Sequence, residues 1–438
     1  KILHTYFLNT VLLLLLLHLL TYPVTGVSRS VSMLLRHLAP QRTSTLLPLL
    51  FQQHAAFHTT PVTNGVPSVE DLENLRMLPE FVQAEEQFTN GDPTAATLSL
   101  ERVQDICDSS MGTTSPMSRS VHSLVLSYLT RSFSASSSSS SLLNVAHQAI
   151  ARPTTDEDNR DTNDATARLY LSIVMGQPEL VVRNTSSLLH APPSLDVSHL
   201  LLYRGIALAT TGSKDEAHVT FTQVHDMLDS LSSAETSEAV QTARVRALHN
   251  VGCVLDQHGS TEEALSTWKQ ALALAGQEKE GSNESATLTK CQVELLCNIG
   301  TLHTEQGDPN EGILCLSRAV AMLGATQNLE MVRPLTLLGR AHHADGRAVS
   351  AEGYFRSALG LLEEQNSTSA GPSMQVQHIE TLRMYGSLLM DWEQRKTDYD
   401  LHMDRSNEIH QLLKDNGIVA MPTGLSLPLP NLEERRDL

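Results

Sequence analysis

The residues with most chemical potential in this 438-residue chain are five cysteines, a histidine doublet and two short polar runs. Cys291 and Cys297 lie six apart, with no second cysteine pair and no paired histidine, whereas a structural zinc site draws four ligands from two closely spaced pairs. His342 and His343 are adjacent. On a helix they point in different directions, unlike the i, i+4 pair that shares a metal. The run Asp156-Glu157-Asp158-Asn159-Arg160-Asp161 begins like a calcium loop, but Arg160 stands where a ligand belongs and no glycine follows. Thr211-Gly212-Ser213-Lys214 holds phosphate-loop residue types in the wrong order and lacks the upstream glycine. No nucleophile, base or metal set assembles, so neither enzyme activity nor a cofactor is expected.

The elements that position side chains in this chain are repeated ones. One copy reads Leu248, Val251, Gly252, Leu255, Gly259, Ala264, Trp268, Ala271. The next reads Leu296, Ile299, Gly300, His303, Gly307, Gly312, Leu316, Ala319, and a third Leu335, Leu338, Gly339, His342, Gly346, Ala351, Phe355, Ala358. An earlier copy runs Leu201, Gly205, Leu208, Gly212, Ala217, Phe221, Val224 at the same offsets. Leu248, Val251, Gly252 and Leu255 share one face of a helix. Gly252 and Ala264 remove bulk where two helices must approach, and Gly259 suits a C-terminal cap with positive φ. Trp268 and Ala271 put a large and a small residue on the inner face of a second helix.

This pattern resembles the tetratricopeptide repeat. The resemblance implies an all-α fold, a right-handed superhelical solenoid of antiparallel helix pairs, and a binding scaffold without chemistry of its own. Glycines 205, 252, 300, 339 and 386 are spaced by 47, 48, 39 and 47 residues, longer than the usual ~34 and similar to repeats of the kinesin light chain type. Either the helices are longer or the loops carry insertions. The fifth copy (Leu382, Tyr385, Gly386, Leu389) loses the small residue and the aromatic of its second helix and reads as the cap a solenoid needs.

Upstream, residues 80–90 and 94–106 around Gly91-Asp92-Pro93, then 118–131 and 142–151, then 166–175 and 179–189, read as further pairs. The chain thus divides into an N-terminal targeting segment (1–69), degenerate repeats with serine-rich and acidic linkers (70–197), tetratricopeptide repeats (198–415) and a loose proline-rich tail (416–438). Residues 1–69 hold four basic residues and no acid, so of 31 basic and 49 acidic residues in all, 27 and 49 remain, a net of −22 for 70–438. Such an acidic body argues against nucleic acid as a partner.

Residues 6–24 form an apolar run broken by Asn9, Thr10 and His18. It is short for a membrane span and suits a secretory h-region, or an anchor if retained. The sequence starts with Lys, and Met33 offers an alternative start. Residues 33–60 carry Arg36, Arg42 and many hydroxyls without acid, the composition of a mitochondrial transit peptide. A mitochondrial address is the expectation, with a secretory or membrane-anchored one as the alternative. Five cysteines without framework spacing favour a thiol-tolerant compartment.

In tetratricopeptide proteins the first helices line a concave groove. By resemblance, its residues here are Arg246, His249, Asn250 and Cys253, then Glu294, Cys297, Asn298 and Thr301, then Arg333, Thr336, Leu337 and Arg340, and lastly Glu380, Arg383 and Ser387. Asn250 and Asn298 each stand two residues before their glycine. In family members that bind extended peptides, asparagines there hold the peptide backbone, since an amide both donates and accepts. The carboxylate clamp of the chaperone-binding subfamily is not matched, because His249, Cys253, Pro334 and Leu338 occupy clamp positions. The partner-binding candidates are therefore Arg246, His249, Asn250, Asn298, Arg333, Arg340 and Arg383, reading an acidic extended segment of a protein. Self-association, or a place as the regulatory subunit of an enzyme complex, is a competing outcome. The bland reading is that the asparagines are solvated and the arginines neutralise neighbours such as Glu294 and Glu380.

Overall fold

The computed structural model describes residues 75–134, 140–152, 162–232, 237–276, 286–324, 329–364, 372–415 and 424–427. All of these lie in the second of two compact units, Gly65–Leu438. The apolar run 6–24, the transit-like segment 33–60, the serine run at 135–139 and the acidic stretch at 156–161 fall outside the described residues.

Among the described residues there is no strand, and sixteen α-helices follow one another. These are α1 (Pro79–Thr89), α2 (Pro93–Met111), α3 (Pro116–Ser134), α4 (Ser140–Ala151), α5 (Thr162–Val174), α6 (Pro178–Asn184), α7 (Leu195–Thr210) and α8 (Lys214–Ser232). Then come α9 (Glu238–Gln257), α10 (Thr261–Ala275), α11 (Ala286–Glu305), α12 (Pro309–Leu323), α13 (Val332–Ala344), α14 (Ala348–Glu364), α15 (Pro372–Met390) and α16 (Lys396–Asp415). From α7 onward each odd-numbered helix packs on the next even-numbered one. The odd-numbered helices also touch each other in sequence, α7 to α9 to α11 to α13 to α15. The result is an all-α repeat solenoid: a row of first helices backed by a row of second helices.

The repeat glycines show why those residues are needed. A Cβ on Gly205 would lie 2.4 Å from Phe221, one on Gly252 2.4 Å from Trp268 Nε1, and one on Gly339 3.0 Å from Phe355. In the Gly300 copy the filler is Leu316, 2.7 Å from such a Cβ. Each large residue stands sixteen positions after its glycine and is fully or almost fully buried. Trp268 also donates its indole N–H to the His249 carbonyl at 3.0 Å, inside the protein. Between the helices of each pair, Gly212, Gly259, Gly307 and Gly346 turn the chain at φ 75–86°, a region that side chains avoid. Second helices begin with familiar caps: Asp92 accepts from Ala95 N and Asp308 from Glu311 N, each before a proline at the first helical position.

The fifth pair is fuller than the sequence pattern suggested. Its second helix, α16, runs twenty residues. Around Gly386 the fit is looser: a Cβ there would have Met403 Sδ as its nearest atom, at 3.3 Å, and Tyr385 is tilted against His402. The long repeat spacing resides partly in the first helices, since α9 and α11 are each twenty residues and α13 is thirteen. The expected helix over 179–189 stops at Asn184 and continues as a 3-10 turn, Ser186–His190. There the hydroxyls of Thr185 and Ser186 bond back to the Val181 and Val182 carbonyls, and Arg204 also takes the Val182 carbonyl. Such side-chain competition for helical acceptors ends the α-helix.

Candidate partner-binding groove

Four residues of α9 and α11 meet at one place on the row of first helices: His249, Asn250, Cys253 and Asn298. The first three lie within one turn of α9, Asn298 faces them from α11, and all are buried. The periodic offsets that send Leu248 and Val251 into the helix pair turn these residues toward the neighbouring first helix.

The hydrogen bonds fix the orientation of each amide. Arg333, on α13, donates from Nη2 to Asn298 Oδ1 at 2.6 Å. A guanidinium can only donate, so the Asn298 amide nitrogen faces the other way, toward His249 Nε2 at 2.7 Å. His249 accepts that bond with its lone pair and is neutral. Burial, with Arg333 and Arg246 nearby, pushes its pKa down to about 4 against the opposing pull of Glu294. Its Nδ1 stands 4.0 Å from Glu294, without a hydrogen bond of its own. Burial likewise pushes the Cys253 thiol up to about 12, so it stays protonated and can donate.

The groove is occupied. Residues 424–427, which the sequence suggested were loose, lie across it, and Ser426 is only 2% exposed. Asn250 grips both backbone groups of that residue: Ser426 N donates to Oδ1 at 2.8 Å, and Nδ2 donates to the Ser426 carbonyl at 3.2 Å. The Gly424 carbonyl accepts from Asn298 Nδ2 at 3.1 Å and from Cys253 Sγ at 3.2 Å. Leu425 packs against the apolar cluster that includes Leu248, Trp268 and Leu302. Gly424 has φ +95°, and a Cβ there would stand 3.0 Å from Asn298 Oδ1. Conformation and proximity both call for glycine.

The other candidate residues are distributed differently. Arg246 is half-buried and lies beside Cys291 on α11. Arg340 pairs with Glu305 at 2.9 Å. Arg383 reaches Ser406 on α16, the second helix of its pair, at 3.1 Å. Arg333 holds Asn298 and lies near Glu380, whose carboxyl burial raises against the lowering fields of Arg333 and Arg340. Arg333 and Arg340 share α13 and both act on Glu380, Arg333 and Arg246 of α9 both act on His249, and Arg383 of α15 turns to α16. Cys253, which sequence reasoning placed on this face without a role, is part of the groove; the occupying segment had no sequence signal at all.

Elsewhere, Arg152 makes a bidentate pair with Asp108, 2.9 Å for each bond, while Gln104 and Ser118 bond the same carboxylate. This closed clamp ties α2, α3 and α4 together. Among the described residues no three His, Cys, Asp or Glu side chains come together as a metal site. No described helix is long and apolar enough to cross a membrane.

No protein-family model matches the sequence, and no curated protein matches it. Solved structures do. One is a Podosopora anserina protein of nearly identical TPR-like repeats, described as a kinesin light chain, at 15% identity and TM-score 0.35 over 49% of this chain and 99% of that one. Another is the APC/C hetero-tetramer Cut9–Hcn1, at 14% identity and TM-score 0.27 over 79% of this chain and 66% of that one.

Proposed function

We propose that this protein is a non-catalytic adaptor that holds an extended segment of a protein partner between α9 and α11, by its backbone. The observation that carries the reading is the double hydrogen bond of Asn250 to both backbone groups of one residue, at 2.8 and 3.2 Å. Bonds of that kind recognise a main chain whatever its side chains, and each contributes about 0.5–1.5 kcal/mol net. Of the arginines expected to select an acidic segment, Arg340, Arg383 and Arg333 already bond Glu305, Ser406 and Asn298, so the reading keeps the extended segment and makes no use of its charge. The test is partner capture by the full chain and by Asn250→Ala with Asn298→Ala. The double variant should keep its helicity and lose the proteins the parent retains; unchanged capture by a folded double variant would place the binding surface elsewhere.

The address we propose is mitochondrial, with a role in assembling a complex there. The support is compositional: Arg36, Arg42 and hydroxyl-rich sequence without acid across 33–60. Residues 33–69 fused to a fluorescent reporter should carry it into mitochondria, and Arg36→Glu with Arg42→Glu should abolish import. Entry of the full chain into the secretory pathway would overturn this address.

A further inference from the structure

We propose that residues 424–427 are a resident ligand of the groove. A partner must displace them, and its segment shares their chemistry: extended, uncharged, with a large apolar residue between a glycine and a small residue. This deepens the adaptor reading and rests on it. The occupied site is specific in four respects. Asn250 takes both backbone groups of Ser426. Asn298 and Cys253 converge on one carbonyl. The position of that carbonyl demands glycine. Leu425 enters the apolar cluster between α9 and α11. No side chain of the segment 424–427 bears charge, and every polar group that meets it is neutral: two amides, a thiol held protonated and an imidazole held neutral. An acidic residue at position 425 would enter an apolar cluster unpaired, a costly burial.

Competition follows from the connection. A segment carried on the same chain as its site competes intramolecularly, at an effective concentration of about 1 mM. Against a peptide of on the order of 10–100 μM affinity, that weakens capture in trans by roughly ten- to hundredfold. The groove then responds only to a segment of higher affinity or higher valency.

The experiment uses the full chain and a fluorescein-labelled peptide of residues 421–430. In the full chain, Leu425→Asp with Ser426→Pro removes the apolar anchor and the N–H that Asn250 accepts; both positions lie beyond the last described helix, so the circular dichroism spectrum should be unchanged, while the melting temperature falls by no more than the lost segment contributed. By fluorescence anisotropy, the peptide should bind this variant at least tenfold more tightly than the parent. Adding Asn250→Ala to the variant, or changing the glycine of the peptide to alanine, should cost a further tenfold or more. Equal binding to parent and tail variant, or no binding to a folded tail variant, would overturn the proposal. So would a parent chain that self-associates and is dissociated by the tail substitutions, because the segment would then bind in trans. If the peptide fails but partner capture still depends on Asn250, the adaptor reading stands and the resident ligand falls. If the peptide binds but capture ignores Asn250, the reverse holds.

Discussion

The same substitution, glycine to alanine, should have opposite signs at two positions of this fold. In an open helix interior alanine is favoured by about 0.5–1 kcal/mol. Gly353, in α14, has nothing within 4 Å of an added Cβ and is exposed, so Gly353→Ala should stabilise by about that amount. At Gly252 an added Cβ would fall 2.4 Å from Trp268 Nε1 and 2.5 Å from its Cδ1. The indole must move, and it is 2% exposed and wedged between helices. Overpacking of that kind costs about 1–3 kcal/mol. Displacement also breaks the Trp268 bond to the His249 carbonyl, and a buried donor left without its partner costs about 1–3 kcal/mol more. After the helix gain is subtracted, Gly252→Ala should destabilise by about 1–5 kcal/mol. Urea unfolding followed by circular dichroism measures both variants, and the tryptophan emission of the Gly252 variant should shift as the ring leaves its slot. The reasoning is refuted if Gly252→Ala is as stable as the parent, or if both variants move in the same direction.

Other expectations follow from the same contacts. Ala264 is fully buried where α10 meets α9, so Ala264→Leu should lose about 1–3 kcal/mol in the same unfolding assay. His249 is held down to about 4 in the folded chain, because it is buried beside Arg333 and Arg246 with Glu294 and the Gly424 backbone opposing, against an ordinary value of 6.5. Between those values the unfolded chain binds a proton that the folded chain refuses, so stability is full above pH 6.5 and falls as pH drops toward 4. The loss is about 3 kcal/mol at 1.36 kcal/mol per unit, and His249→Gln should flatten the pH dependence of the urea midpoint in that window. Burial raises the pKa of all five thiols; of these only Cys315 is half-exposed, so a thiol reagent at pH 8 should modify it first and the others only on unfolding. The exposed Arg340–Glu305 pair should matter little, and Arg340→Ala should change stability by less than about 1 kcal/mol.

Much of the fold was legible because its determinants are local and periodic. Gly252 and Trp268 stand sixteen residues apart on two helices joined by Gly259, so a single window of sequence holds both sides of the contact. The asparagine positions were legible for the same reason, since the glycine register fixes which face of α9 and α11 they occupy. Side-chain partners were not. Arg246 and Arg333 occupy equivalent positions, each six residues before its glycine, but Arg333 bonds Asn298 while Arg246 lies beside Cys291, choices made by neighbours in different helices. The break at Thr185 depends on Arg204, nineteen residues on. The occupant of the groove was the least legible part: Ser426 lies 176 residues from Asn250, and a segment held by its backbone carries no side-chain pattern to announce it.

Amide hydrogen exchange across residues 424–427 tests most directly whether Asn250 and Asn298 hold an extended backbone. In the parent chain the Ser426 amide, bonded to Asn250 Oδ1 at 2.8 Å and buried, should exchange well below the free-chain rate. In Asn250→Ala it should approach that rate, while α9 and α11 keep their protection. Exchange of residues 424–427 at the free-chain rate in the parent, or protection unchanged by Asn250→Ala, would contradict the groove described here.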